Sequence, residues 1–318
     1  GTDYVNYLAI YEGTSATKTL EPYKYKEPLF YFINWFYQSI DAHFQWMFAT
    51  FAFIFTAVAF KAYPRKNAWL LHFLFFSMLW FFSFNGMRQA VALAWCLLAM
   101  FNFFERKYFA FFVFSFIGAT FHQSALLITY SCVAALIPLG SIFKSRIAPI
   151  FFIGFIAFTL VSMNIVLLYM EQLLNILGMT KYANYFSSST HFIERDFGTG
   201  LGVLAKVLFS IYIILNSAQF LKANKNYWLL IVLVLAYAVG VVLANNIIIF
   251  GRMADTFVIG PIIGGYVLLS LPSNKQMNQV VLGAFLIFLA LSFIKDGMGI
   301  ETSYADPKRN PYQTIFSE

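Results

Sequence analysis

Residues 108–138 read YFAFFVFSFIGATFHQSALLITYSCVAALIP. Taken as one helix, this run crosses a bilayer once. Taken as two, it holds a polar turn at Thr120-Phe121-His122-Gln123-Ser124. Short basic loops mark the cytoplasmic side of a helical membrane protein, and they decide between the two. Lys61, Arg65 and Lys66 form one such loop, Arg106 and Lys107 a second, Lys144 and Arg146 a third, Lys222 and Lys225 a fourth, and Lys275 a fifth. All five share a side only if 108–138 crosses twice and the His122 turn lies outside. A single crossing would export the Lys144/Arg146 loop, so the two-crossing reading is preferred.

Composition requires the lipid setting. Of 318 residues, 60% are hydrophobic and 11% charged, where a soluble domain carries about 25% charged residues. So few charges cannot cover a water-facing surface, and the 40 phenylalanines suit hydrocarbon better. The net charge of +7 does not indicate nucleic acid, because the basic residues punctuate apolar runs instead of clustering on a soluble domain. The runs are continuously apolar, not alternating, which excludes a membrane β-barrel. Cys96 and Cys132 sit inside apolar runs without a CxxC and read as small buried hydrophobes.

Ten apolar segments follow: 44–62, 69–84, 88–104, 108–121, 123–138, 147–169, 200–221, 227–249, 257–272 and 279–294. Several are shorter than the ~20 residues of a straight span, so their boundaries are soft. The expected fold is all-α, a polytopic transmembrane helical bundle of about ten visible spans, one integral membrane domain over 1–318. The chain opens on the polar stretch GTDYVNYLAIYEG, and one further membrane helix is expected before it.

With this topology the acidic residues gather outside. Of fourteen Asp and Glu, only Glu105 falls in a cytoplasmic loop. The rest lie in extracytoplasmic segments 1–43 and 171–199, a turn at 251–256 and the tail 295–318. Glu27, Tyr31, Asn34, Gln38 and Asp41 recur at helical spacing, opposite Leu29, Ile33, Phe36 and Ile40. Pro28 suits the first turn. A helix lying in the outer interface is expected, either as a simple anchor or with its polar face lining a cleft.

Several outer residues carry chemistry. Arg88 opens the helix at 88–104, where its charge opposes the positive end of the helix dipole. A cation so placed needs an anionic partner, from the chain or from a ligand. Arg252 stands at another outer turn with Asp255 three residues on, and Arg195 lies in Glu194-Arg195-Asp196. Guanidinium groups bind phosphate bidentately, so outer arginines near lipid suggest a lipid-linked phosphate or pyrophosphate. His122 in its polar turn is a candidate base or hydroxyl-holding group. Asp3 and Glu27 are the leading carboxylates. Tyr4, Tyr7, Tyr11, Tyr182 and Tyr185 are interfacial aromatics able to stack on sugars. HExxH, Walker, GxSxG and GxGxxG motifs are all missing; neither a metal nor a cofactor is expected.

Gly1-Thr2-Asp3-Tyr4 with Tyr7, Glu27-Pro28-Leu29 with Asn34, Arg88-Gln89-Ala90, His122 with Ser124-Ala125-Leu126, and Arg252 occur in this order. The chain thereby resembles the EpsG-like family of Wzy-type polysaccharide polymerases. Lys181-Tyr182 to Tyr185 and Asn310-Pro311-Tyr312 are also similar. The resemblance implies a GT-C-like membrane glycosyltransferase in the bacterial cytoplasmic membrane. Its donor and acceptor would be undecaprenyl-pyrophosphate-linked repeat units outside that membrane, joined without a metal into exopolysaccharide or capsule. It implies that Arg88 and Arg252, with Arg195 as a weaker candidate, neutralise the departing pyrophosphate. One of Asp3, Glu27 and His122 would be the base, and Asn34, Tyr4 and Gln89 would belong to the substrate site. A chain-length regulator or other assembly protein is an implied partner. Two other classes remain open: a flippase for lipid-linked oligosaccharide, which would favour midplane charges and internal repeats, and a membrane acyltransferase, with which His122 is compatible.

Overall fold

The computed structural model describes residues 4–17, 27–132, 147–161, 200–244 and 248–297, and positions 169, 172, 175 and 176. Its ordered elements are helices: α1 (Tyr4–Thr17), α2 (Pro28–Ser39), α3 (Gln45–Ala62), α4 (Ala68–Ser83), α5 (Met87–Phe104), α6 (Tyr108–Phe121), α7 (Ala125–Ser131), α8 (Ile147–Val161), α9 (Leu201–Leu215), α10 (Ser217–Ala223), α11 (Tyr227–Leu243), α12 (Ile248–Phe257), α13 (Ile259–Leu268) and α14 (Lys275–Gly297). The protein is a polytopic helical membrane protein, as expected. Among the described residues α3, α5 and α14 are each long and apolar enough to cross a membrane, and α9 with α10 makes a fourth candidate bent by 57°. The segments expected at 69–84, 108–121, 147–169 and 227–249 appear as shorter apolar helices. The expected outer segments 171–199 and 295–318 lie largely outside the described residues.

The chain forms two compact units, residues 1–130 with 286–318, and residues 131–285. The first is built around α5. Nearly all of α5 is buried, and its alanines let neighbours approach closely. A Cβ added at Gly118 on α6 would lie 3.1 Å from the Ala92 carbonyl oxygen. Phe103 against Phe111 (5.2 Å between ring centroids) and Trp95 against Phe114 (5.8 Å) complete the seam. Ascending numbers on one helix meet descending numbers on the other, so α5 and α6 are antiparallel. Glu105-Arg106-Lys107 is the tight connection between them. Arg106 takes a left-handed φ of 62°, and the amides of Arg106 and Lys107 close onto Phe103 O (3.0 Å) and Asn102 O (2.9 Å), the paired bonds that end a helix in this way.

The same reasoning orients α3 and α4. Phe55 meets Phe75 and Phe60 meets His72, so these helices are antiparallel. Phe51, near the start of α3, meets Phe121 at the end of α6. Within this unit the Lys61–Lys66 and Glu105–Lys107 loops therefore lie at the end away from His122. That end is about 27 Å from Arg88, the length of eighteen helical residues.

The helix expected from the spacing of Glu27 to Asp41 is present, with two adjustments. Glu27 is its N-cap residue. Asp41 lies past its end, with a left-handed φ of 51° that closes the helix through Asp41 N–H to Gln38 O and Ala42 N–H to Tyr37 O. The polar face turns inward: Asn34 is buried, whereas Phe32, Phe36 and Ile40 are exposed. The exposed side of α2 is thus apolar, and Asn34 on its polar side is covered by the rest of the unit. α1 packs on α2, where Gln38 Nε2 donates to Tyr11 O (2.9 Å).

The second unit is built around α11 and closes through glycines. A Cβ at Gly260 on α13 would lie 2.7 Å from Val234 N and 2.8 Å from Leu233 C. One at Gly240 would lie 3.1 Å from Ala254 Cα. Asn278 on α14 donates to Leu268 O (3.3 Å) and Ser273 O (3.0 Å) and accepts from the Tyr212 hydroxyl (2.7 Å). One expectation fails in this unit. The turn expected over 251–256 is instead the body of α12, because Phe250, Ala254 and Phe257 form a buried helical face that outweighs the turn signal of Gly251.

Candidate functional site

The site assembles at one end of the first unit from residues far apart in sequence. Glu27, at the start of α2, is buried by its neighbours. Its Oε2 lies 2.5 Å from a terminal guanidinium nitrogen of Arg88, in the first turn of α5. Its Oε1 accepts the Gln123 backbone N–H (3.3 Å) and lies 3.8 Å from His122 Nε2. The expected anionic partner of Arg88 is thus supplied by the chain.

The three side chains are enclosed but reachable: 11% of the Glu27 side chain, 27% of Arg88 and 24% of His122 is exposed. Burial pushes the Glu27 carboxyl above its ordinary pKa, and this outweighs the opposing pull of Arg88 and the Gln123 amide. A carboxylate held this way binds a proton more readily than one in water.

Arg88 also lies over aromatic faces, its guanidinium carbon 4.8 Å from the Phe30 centroid and 5.7 Å from that of Tyr7. Such contacts hold a cation in a partly dry site. Its Nε is buried without a hydrogen-bond partner. His122 is oriented by the residue that opens α7. The Ser124 backbone N–H donates to His122 Nδ1 (3.3 Å), and Ser124 Oγ is 2.7 Å from the same nitrogen. Because a backbone amide can only donate, Nδ1 is an acceptor here. The neutral ring then carries its proton on Nε2, facing Glu27.

Of the residues expected from sequence, Glu27, Arg88 and His122 come together. Asn34 shares the inward face of α2, and its Oδ1 is buried without a partner. Gln89 is buried beside Arg88. Tyr4 is a packing residue in this arrangement, stacked on Phe48 (5.4 Å) and edge-on to Phe44. Arg252 is exposed on α12 in the other unit. Asp3 and Arg195 lie outside the described residues. Sequence reading did not single out Phe30 as a platform for Arg88, or the Gln123 amide as a donor to Glu27. Phe30 is one of forty phenylalanines, and backbone donors have no sequence signature. Among the described residues no group of His, Cys, Asp and Glu is arranged to hold a metal ion.

Neither the curated proteins nor the solved structures contain a match to this chain. A family model does match, over residues 1–312, and its description is the EpsG family. With nearly the whole sequence covered, the chain belongs to the EpsG family and is a membrane protein of polysaccharide biosynthesis.

Proposed function

We propose that this protein polymerises polyprenyl-pyrophosphate-linked oligosaccharide repeat units at the outer side of the bacterial cytoplasmic membrane. The single observation behind this reading is the Glu27–Arg88–His122 cluster, which lies at the end of its unit opposite two basic loops. Basic loops favour the cytoplasmic side, so the cluster faces out.

The chemistry is glycosyl transfer. A hydroxyl of the acceptor unit attacks the anomeric carbon of the donor chain, a new C–O bond forms, and the bond from that carbon to the pyrophosphate breaks. The pyrophosphate keeps the electron pair, and the hydroxyl proton passes to a base. Glu27 is the base this reading favours, because its burial raises its proton affinity. His122 holds Glu27 or the acceptor hydroxyl. Arg88 meets the charge that develops on the leaving group, and Arg252 and Arg195 are further candidates for phosphate contact. Asn34 and Gln89 are candidates for holding sugar hydroxyls, and Asp3 remains a candidate base. The reaction needs no metal in this scheme, and the fold class it fits is GT-C-like.

The test is reconstitution of the purified protein in lipid with lipid-linked repeat units. A ladder of lengthening glycans is expected. Unextended units, where a known polymerase makes a ladder in the same lipid, would overturn the reading.

A further inference from the structure

We infer that Glu27 and a substrate pyrophosphate exchange on Arg88, so that seating the pyrophosphate releases Glu27 as the base. The inference rests on the polymerase reading and adds an order of events within that site.

Four observations lead to it. First, one terminal nitrogen of Arg88 is already on Glu27 Oε2, so a phosphate that comes to this guanidinium shares its charge with a carboxylate. Second, the Arg88 Nε, half of the side-on fork that binds phosphate bidentately, is buried and has no partner. A phosphate that takes this edge satisfies an orphaned donor but requires the side chain to move, and movement loosens its hold on Glu27. Third, Glu27 does not depend on Arg88 for its position. The Gln123 amide holds Oε1, with His122 Nε2 beside it. Fourth, Arg88 is steadied over the Phe30 ring, a contact that permits the guanidinium to turn in plane without losing its support.

The exchange has a chemical consequence. While paired with Arg88, Glu27 is a weaker base, since a neighbouring cation favours the carboxylate. When the cation transfers to the pyrophosphate, the proton affinity of Glu27 rises while the amide keeps it aimed. The base strengthens only when a donor with its leaving group is in place. The proton of the acceptor hydroxyl then goes to Glu27, and the electron pair of the broken bond goes to the pyrophosphate that Arg88 now holds. The pair also keeps Arg88 from binding stray anions and Glu27 from promoting attack by water.

The test measures binding separately from catalysis, in lipid nanodiscs, with farnesyl pyrophosphate as probe and farnesol as the uncharged control. If the two anions compete, Glu27→Gln binds the pyrophosphate at least about tenfold more tightly than wild type. Arg88→Gln loses that binding, and farnesol shows no difference among the three proteins. Equal or weaker binding by Glu27→Gln overturns the exchange. Should that variant not fold, the unaltered protein decides. A hydrophobic carbodiimide, which attacks protonated carboxyls, should modify Glu27 faster in the presence of the pyrophosphate; unchanged or slower modification overturns the exchange. Failure of the polymerase reading looks different: there, exchange is seen by both methods and no glycan ladder forms.

Discussion

The central helices of the two units, α5 and α11, are both buried and are used differently. α11 packs as a plain hydrocarbon core. Its crossings close on Gly240 and Gly260, where an added Cβ would come within about 3 Å of neighbouring atoms, and the helix itself carries no charged residue. α5 begins with a cation, Arg88, set against the helix dipole and kept partly dry by Phe30. Burying a charge costs stability unless it is paired, and replacing a buried pair by apolar residues often stabilises a protein. The first unit retains such a pair at one end; the core of the second unit is close packing. The contrast separates a region that retains a partly buried ion pair from one that closes by backbone packing.

The largest effect expected from breaking this contrast is on turnover. Glu27→Gln should lower the polymerisation rate about 10²- to 10⁴-fold, the usual contribution of a positioned base, and leave the protein folded, as read by glycan ladders beside a thermal melt. The complementary change is in the second unit. Gly260→Val puts branched carbon against the Val234 and Leu233 backbone and should destabilise by about 3 kcal/mol, at the upper end of overpacking costs. It would show as a lowered melting temperature and as reduced yield in detergent.

A third test follows from the pH dependence of the base. Burial raises the Glu27 pKa, while Arg88 and the Gln123 amide lower it. The base must be deprotonated, so the rate rises with pH through this pKa. Arg88→Gln removes the largest lowering influence, and the acidic limb of its residual rate profile should move to higher pH. A shift to lower pH would show that Glu27 is not the group being titrated. The smallest effect belongs to the ion pair at the other end of the first unit. Lys107 and Glu105 are 2.6 Å apart but about 60% exposed (62% and 61%), and such pairs contribute little. Lys107→Ala should change stability by no more than about 0.5 kcal/mol in the same melt.

What the sequence revealed depended on the range of each signal. Continuous apolar runs located α3, α4, α5 and α6 to within a residue or two, because burial in lipid leaves a local imprint. Loop charges found the break at His122, which hydropathy alone runs through. The inward face of α2 was legible from its spacing. The pairing of Glu27 with Arg88 was not, since the two residues are 61 positions apart and only the packing of α2 against the bundle brings them together. Sequence also misread 251–256, where Gly251, Arg252 and Asp255 looked like a turn, yet a buried apolar face keeps the segment helical.

The most direct test of the central claim is a charge swap, Glu27→Arg with Arg88→Glu, assayed for glycan ladders and for thermal stability. If the pair exists for chemistry, the swap recovers much of the stability lost in either single variant and makes no polymer, because base and leaving-group cation have changed places. Polymer at near the wild-type rate would contradict the claim and make the pair a structural one.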